Sequence, residues 1–254
     1  MDTRTNNLSS VFTRFPSQFG KLISHRGTDY VTSVVGWNQA TPFVEENSDR
    51  VTLFGYVVVG ETTVKTATST YHLIAGQYFS IATPCSVQGG EGMIVRHTNF
   101  KPLSIVGGPI EAEGRLQYIS GCTDTLLIPP PRHGDPCFNA LYFPPETNQQ
   151  PHTHPSIRVG VVARGCGEAV LSDRVEPLNT GDIFVILPDG LHSFRTSINQ
   201  QMTVIAYHPD SDFGPEDDHH PMINRTLING VSAGRGDTKL TATPSVVSRE
   251  WNDS

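Results

Sequence analysis

The chain has 254 residues, 23 of them glycine and 19 proline, and a formal net charge of −7. That length holds one large β domain or two of about 100 residues each. The acidic balance and the lack of any basic run exclude a nucleic-acid-binding face, and no apolar run approaches the length of a membrane span.

From its start the chain reads as short strands. Met1 to Asn7 carry no apolar segment of the secretory kind, so the expected compartment is the cytoplasm. Cys85, Cys122, Cys137 and Cys166 lack CxxC spacing and read as reduced thiols, some of them buried. No stretch keeps the 3.6-residue apolar period of an amphipathic helix, whereas glycine and proline punctuate short apolar runs throughout. Val57, Val58 and Val59 end at Gly60; Val159 to Ala163 end, 105 positions later, near Gly165. The same shift lays residues 73–81 on residues 178–186, and Pro84 falls on Pro188 after a one-residue insertion. A repeat of that length is too long for a solenoid and fits a duplicated domain. The expected organisation is therefore one β domain over residues 1–108, a second over 109–215, and a loop or extension over 216–254. The proline-rich stretch 128–136 would lead into the second domain.

The second copy carries the chemistry. His152 and His154 stand two apart, so on a strand they project side by side from one face. His192, after the apolar run 183–186 and a Pro188-Asp189-Gly190 turn, would supply a third imidazole from a neighbouring strand. Three neutral nitrogens with open positions beside them suit one divalent transition metal, whether Fe, Zn, Ni, Mn or Cu, and binding should weaken as pH falls towards about 6. Shifted back by 105, His152 falls on Asn47, His154 on Asp49, Arg158 on Leu53 and His192 near Val87 or Gln88. The first domain thus keeps the strand pattern without the ligands, and its expected role is structural.

These motifs resemble those of the cupin superfamily: HxH, a hairpin glycine at Gly165, then GDxxxxxPxGxxH from Gly181 to His192. The second motif matches at Gly181, Asp182, Pro188, Gly190 and His192. In the first, Glu146 stands where the family has glycine, and Arg158 and Val159 stand where it has glutamate. The resemblance implies an all-β fold of two tandem cupin barrels (double-stranded β-helices, or jelly rolls), with metal bound at the centre of the second by His152, His154 and His192.

Arg158 has two readings. On a regular strand from His152 it would face inward, where a buried guanidinium needs an anion such as a substrate carboxylate. A bulge at Pro155 would instead turn it to solvent. His208, ending the run 204–206, is a candidate fourth ligand or proton-transfer group, against a plain strand-end residue. His133 is weighed as a lid residue against a turn with Asp135, Glu168 reads as a solvated strand charge, and Tyr142 and Phe143 read as core or pocket wall. The acidic run from Asp210 through Asp212 and Glu216 to Asp218, with His219 and His220, is read as a hydrated loop, against a site for a second ion. Arg235-Gly236-Asp237 and the sequon Asn224-Arg225-Thr226 read as idle.

The expected function is a metal-dependent double cupin acting on a small, acidic metabolite, a three-His oxidoreductase resembling the cupin dioxygenases, with Arg158 and His208 as catalytic candidates. A metal-dependent isomerase or lyase is the alternative enzyme, and a non-enzymatic metal- or metabolite-binding double cupin the other class. The expected partner is a small-molecule ligand, with no nucleic acid and no membrane, and a homodimer is possible.

Overall fold

A computed structural model describes residues 10–46, 48, 50–215, 227–229 and 231–232. The chain divides into two compact units, Met1–Gly214 and Pro215–Ser254. In the second, the described residues include one antiparallel hairpin of Leu227–Ile228 with Val231–Ser232. Asn47, Asp49, the run Glu216 to His220, the sequon and Arg235-Gly236-Asp237 lie outside the described residues.

The first unit is built of strands, and the helical element among its described residues is a single 3-10 turn, Ile119–Gly121. In chain order come β1 (Phe12–Phe15), β2 (Gly20–Arg26), β3 (Val31–Trp37), β4 (Phe43–Glu45), β5 (Val51–Val59) and β6 (Glu61–Thr66). Next are β7 (Thr70–Ile74), β8 (Tyr78–Ala82), β9 (Cys85–Gln88), β10 (Glu91–Thr98) and β11 (Ile105–Gly107). The later strands are β12 (Leu116–Gln117), β13 (Thr123–Ile128), β14 (Cys137–Phe143) and the long β15 (Arg158–Leu171). They end with β16 (Val175–Asn179), β17 (Ile183–Ile186), β18 (His192–Arg195) and β19 (Met202–His208).

The strands form two sheet pairs. In the first, a sheet of order β11-β8-β5-β10-β3-β2 packs on one of order β4-β9-β6-β7. Between them lies a wholly apolar core that includes Trp37, Leu53, Phe79, Val87 and Ile94. In the second pair, the path β1-β17-β15-β19-β14-β13-β12 is completed by β16 and β18, which pair with the distal half of β15. Its core includes Leu141, Phe143, Val162, Phe184, Phe194 and Val204.

The repeat is visible in the strand spans. Adding 105 to the start of β7 and of β8 gives the starts of β16 and β17. Gly60 and Gly165 both take positive φ, +76° and +72°, where each long strand bends from one sheet to the other. At Gly165 a Cβ would lie 1.9 Å from the Gln201 carbonyl oxygen, so only glycine lets the strands approach there.

A third core joins the pairs. Phe54, Tyr56, Met93 and Val95 of the first meet Phe138, Ala140, Val159, Val161, Ile205 and Tyr207 of the second. Strand alternation sorts the residues: on β14, Phe138, Ala140 and Tyr142 face this joint, while Leu141 and Phe143 face the interior of their own pair. This explains why β14 and the first half of β15 read as unbroken apolar runs, since both faces are covered. One element departs from a simple division at residue 108. β1, at the start of the chain, crosses to the second pair and covers the edge of β17, with Phe12 opposite Ile186 and its ring stacked on Phe184. An uncovered apolar edge there would be a pairing hazard, and β1 removes it.

Among the described residues, no helix is long and apolar enough to cross a membrane. The four cysteines are free, with Cys85, Cys122 and Cys137 buried.

Candidate metal centre

His192 opens β18 because of the turn before it. Asp189 takes positive φ, and the Gly190 amide donates to the Leu187 carbonyl at 3.1 Å. This aims the Gly190 carbonyl at His192 Nδ1, 2.8 Å away. Gly181 and Asp182 make the preceding turn. Gly181 has φ +91°, and the Asp182 carboxylate accepts the Asn179 amide at 2.8 Å. Each residue of the GDxxxxxPxGxxH pattern named here thus serves to place one imidazole.

His152 and His154 are not on a regular strand, which corrects the sequence reading. Pro151 and Pro155 bracket the pair and remove two backbone donors, so β15 begins only at Arg158. The segment is held instead by the loop carrying the third histidine. His152 and His192 exchange backbone hydrogen bonds of 2.9 and 3.1 Å, and the Asp189 amide donates to the His154 carbonyl at 2.8 Å. Alternate residues still face the same way, and the three rings converge.

One nitrogen of each of His152, His154 and His192 lies within 4.8 Å of the other two. The ring centroids are 4.6 to 5.4 Å apart. His152 Nδ1 lies 3.0 Å from the Gln150 carbonyl, as His192 Nδ1 does from that of Gly190. A carbonyl only accepts, so both rings carry the proton on Nδ1 and leave the Nε2 lone pair for a ligand. Burial, then Arg158, His192 and His152, hold His154 down at about 3. Burial holds His192 at about 4 against the Gly190 hydrogen bond, with His152 and Arg158 adding to the lowering. Both are therefore neutral well below pH 6, so proton competition at these two rings sets in lower than the expected value near 6. Three imidazoles converging on one point, His154 and His192 among them held neutral by burial, fit a divalent transition metal.

Arg158 faces inward. Regular alternation from the first residue of β15 puts it, only 5% exposed, in the same cavity as the three histidines. Val159 pairs with Tyr207 and Cys137 with His208, so Arg158, His208 and Cys137 stand side by side across β15, β19 and β14. The guanidinium already has a counter-ion. Its Nη1 donates to Asp210 Oδ1 at 3.1 Å, to the Ser156 hydroxyl and to the Ile157 carbonyl, while its Nε is buried without a partner. Sequence reasoning placed Asp210 in a hydrated loop and missed this contact, because nothing in the local pattern marks a pair 52 residues apart.

His208 lines the cavity with its ring centroid 6.5 Å from that of His154, outside the convergent group. Burial, Arg158 and His154 hold it well below the usual imidazole range. The remaining walls are mostly apolar, with Phe143, Phe184, Ile186, Phe194 and Val204 among them. The space open to the centre of a water-sized sphere is about 30 Å³, enough for an ion and a water or the reacting end of a ligand. At the equivalent positions of the first sheet pair stand Leu53 and Val87, both fully buried in its apolar core.

Most of the weaker candidates fall outside the cavity. His133 is exposed, on a turn closed by the Asp135 amide and the Arg132 carbonyl at 2.9 Å. Glu168 pairs across the strands with Arg195 at the surface. Phe143 is a cavity wall, while Tyr142 lies in the joint between the sheet pairs.

Residues 142–214 match the family model described as the AraC-like ligand binding domain. No curated protein sequence matches the chain. Similar solved structures include a cupin 2 conserved barrel domain protein from Leptotrichia buccalis (10% identity, TM-score 0.55), covering 78% of this chain and 89% of that one. An IolB-like protein from Salmonella typhimurium has 13% identity and TM-score 0.57, covering 83% and 98%. A salicylate 1,2-dioxygenase variant from Pseudoaminobacter salicylatoxidans has 13% identity and TM-score 0.52, covering 71% and 70%. The chain thus has the cupin fold.

Proposed function

We propose that the chain is a metal-dependent cupin of two tandem barrels that acts on a small acidic metabolite as a three-His oxidoreductase of the dioxygenase kind. The barrels are residues 1–108, apart from β1, and 109–215, with 216–254 as an extension. The observation that carries the reading is the convergence of His152, His154 and His192 in one cavity with a buried arginine. Similarity in fold to a salicylate dioxygenase adds support by analogy only.

When bound, a redox-active divalent ion would supply substrate chelation and activation of dioxygen, both of whose atoms would end in the product. His152, His154 and His192 would hold it. None of the three is a carboxylate, so the ion's charge would go unneutralised by its ligands and favour an anionic, chelating substrate. Arg158 would anchor a carboxylate of that substrate while Asp210 and Ser156 keep its guanidinium in place. Phe143, Phe184 and Phe194 would exclude bulk water, and the small free volume limits the reacting end to a few atoms.

A metal-dependent isomerase or lyase is the second reading, favoured by His208 in the same cavity as a proton-transfer group. Its depressed basicity makes it a weak proton acceptor near neutrality, which ranks this reading below the first. A non-enzymatic binding barrel is the third, and the ligand-binding family model is in its favour. A cytoplasmic setting and a homodimer complete the proposal.

The test is dioxygen consumption by iron-loaded protein, compared with zinc-loaded protein, across a panel of small hydroxy- and keto-carboxylates. Uptake that needs iron and is lost in His154→Ala supports the oxidoreductase. Turnover with zinc and no uptake supports the isomerase, and binding without turnover supports the third reading.

A further inference from the structure

One side chain in the wall of the histidine cavity comes from outside the ligand-bearing segments and from outside the Arg158 network. Tyr118 stands between β12 and the 3-10 turn, and it lines the cavity together with His152, His154, Arg158 and His192. Its half-buried ring packs on the core of the second sheet pair. The backbone there is fixed. The Tyr118 amide donates to the Cys122 carbonyl at 2.9 Å, and the Cys122 amide to the Ile119 carbonyl at 3.1 Å. The Gln149 side chain then ties this turn to the histidine segments, donating to Cys122 Sγ at 3.9 Å and accepting the Phe194 amide at 3.3 Å.

Two donors in this cavity are unspent. Among the described residues the Tyr118 hydroxyl has no hydrogen-bond partner, yet it is not among the polar atoms sealed from solvent. Arg158 is in the same condition at Nη2, because its bonds to Asp210, Ser156 and the Ile157 carbonyl all leave from Nη1. The Arg158 charge acts on the Tyr118 hydroxyl, so the two groups lie near each other. Burial and Asp124 outweigh that charge and push the phenol up to about 12. Near neutrality Tyr118 therefore keeps its proton and serves as a donor rather than a base. Asp124 itself accepts from the Asn139 side chain at 2.8 Å. An open phenol beside an open guanidinium N–H suits an acceptor with two oxygens, and charge makes such bonds about twice as strong as neutral ones.

Resting on the reading of this cavity as a substrate site, we propose that Tyr118 is a substrate-binding residue, whose hydroxyl donates to the same carboxylate that Arg158 Nη2 holds. The substrate class is a 2-oxo or 2-hydroxy monocarboxylate, in which an oxygen next to the carboxylate completes a chelate. Asp210 on Arg158, and Asp212 near Tyr118, disfavour a second carboxylate on the ligand.

The test uses the full chain loaded with cobalt(II), which neutral histidine sites accept and whose visible bands shift when its coordination changes. Two small chelating probes are titrated: pyruvate, which has a carboxylate, and acetohydroxamate, which has none. Tyr118→Phe keeps the ring that packs on the core and removes only the hydroxyl. It should weaken pyruvate severalfold to about tenfold and leave acetohydroxamate within about twofold, with cobalt stoichiometry unchanged. Arg158→Met should weaken pyruvate by at least about tenfold and acetohydroxamate far less. Pyruvate binding that is unchanged in Tyr118→Phe, equal weakening of both probes, or binding of acetohydroxamate alone would overturn the proposal and leave the cavity standing as a substrate site. Cobalt held by the three histidines with neither probe shifting its bands would overturn both.

Discussion

Removing Asp210 should cost more than removing the arginine it serves. Asp210→Asn leaves the Arg158 guanidinium, 5% exposed, without its counter-charge beside three imidazoles. Stripping one partner from a fully buried ion pair costs about 3–5 kcal/mol. Here Arg158 keeps the Ser156 hydroxyl and the Ile157 carbonyl, and the Asp210 side chain is 38% exposed. Discounted for that screening, the loss is about 2 kcal/mol, a fall in melting temperature of about 4–8 °C. Arg158→Met instead removes the desolvated charge itself and leaves a carboxylate near solvent. It should stay within about 1 kcal/mol of wild type, and the double variant should recover most of the Asp210→Asn loss. Urea and thermal denaturation of the metal-free proteins at pH 7 read all three. An Asp210→Asn loss no larger than that of Arg158→Met would refute the buried-charge reasoning.

Other consequences follow from the packing and the charges. Burial is the leading cause that holds His97 and His192 at about 4 and His154 at about 3, against 6.5 for a free imidazole. As pH falls the unfolded chain takes up protons first, so metal-free protein should keep its full stability above about pH 6.5 and lose it progressively towards pH 4. Flat stability across that window in urea titrations would contradict the burial of these rings. Gly165→Ala meets the Gln201 carbonyl at 1.9 Å and should cost about 2–4 kcal/mol. Gly134→Ala, also at positive φ but with nothing within 4 Å, should cost about 1 kcal/mol, and equal losses in denaturation would show that the strand contact is not what fixes Gly165. Leu53→Ala in the first core should lose about 2–5 kcal/mol without changing metal stoichiometry, and replacing Asn47 or Asp49 should also leave it unchanged. A drop in bound metal in those variants would argue for a second centre.

Much of this was legible in the residues, and the illegible part has physical causes. The spacing from Gly181 to His192 could be read because each named residue has a backbone task that few others can do. The 105-residue repeat could be read because strand ends fall on glycines that the bends require. The direction of Arg158 could not, since parity counts only from the true start of β15, and Pro155 moves that start away from His152. Asp210 looked like one charge in an acidic run, and only the return of β19 beside β15 brings it to Arg158. The crossing of β1 was hidden for the same reason: four residues carry no sign of which distant edge they will cover.

The central claim is tested most directly by elemental analysis of the purified full chain beside His192→Ala, with circular dichroism and melting to confirm that both are folded. The account predicts about one equivalent of divalent transition metal per wild-type chain, absent from the variant at unchanged secondary structure. A folded wild type that takes up no metal after incubation with iron, zinc, nickel and manganese would contradict it, as would equal metal in both proteins.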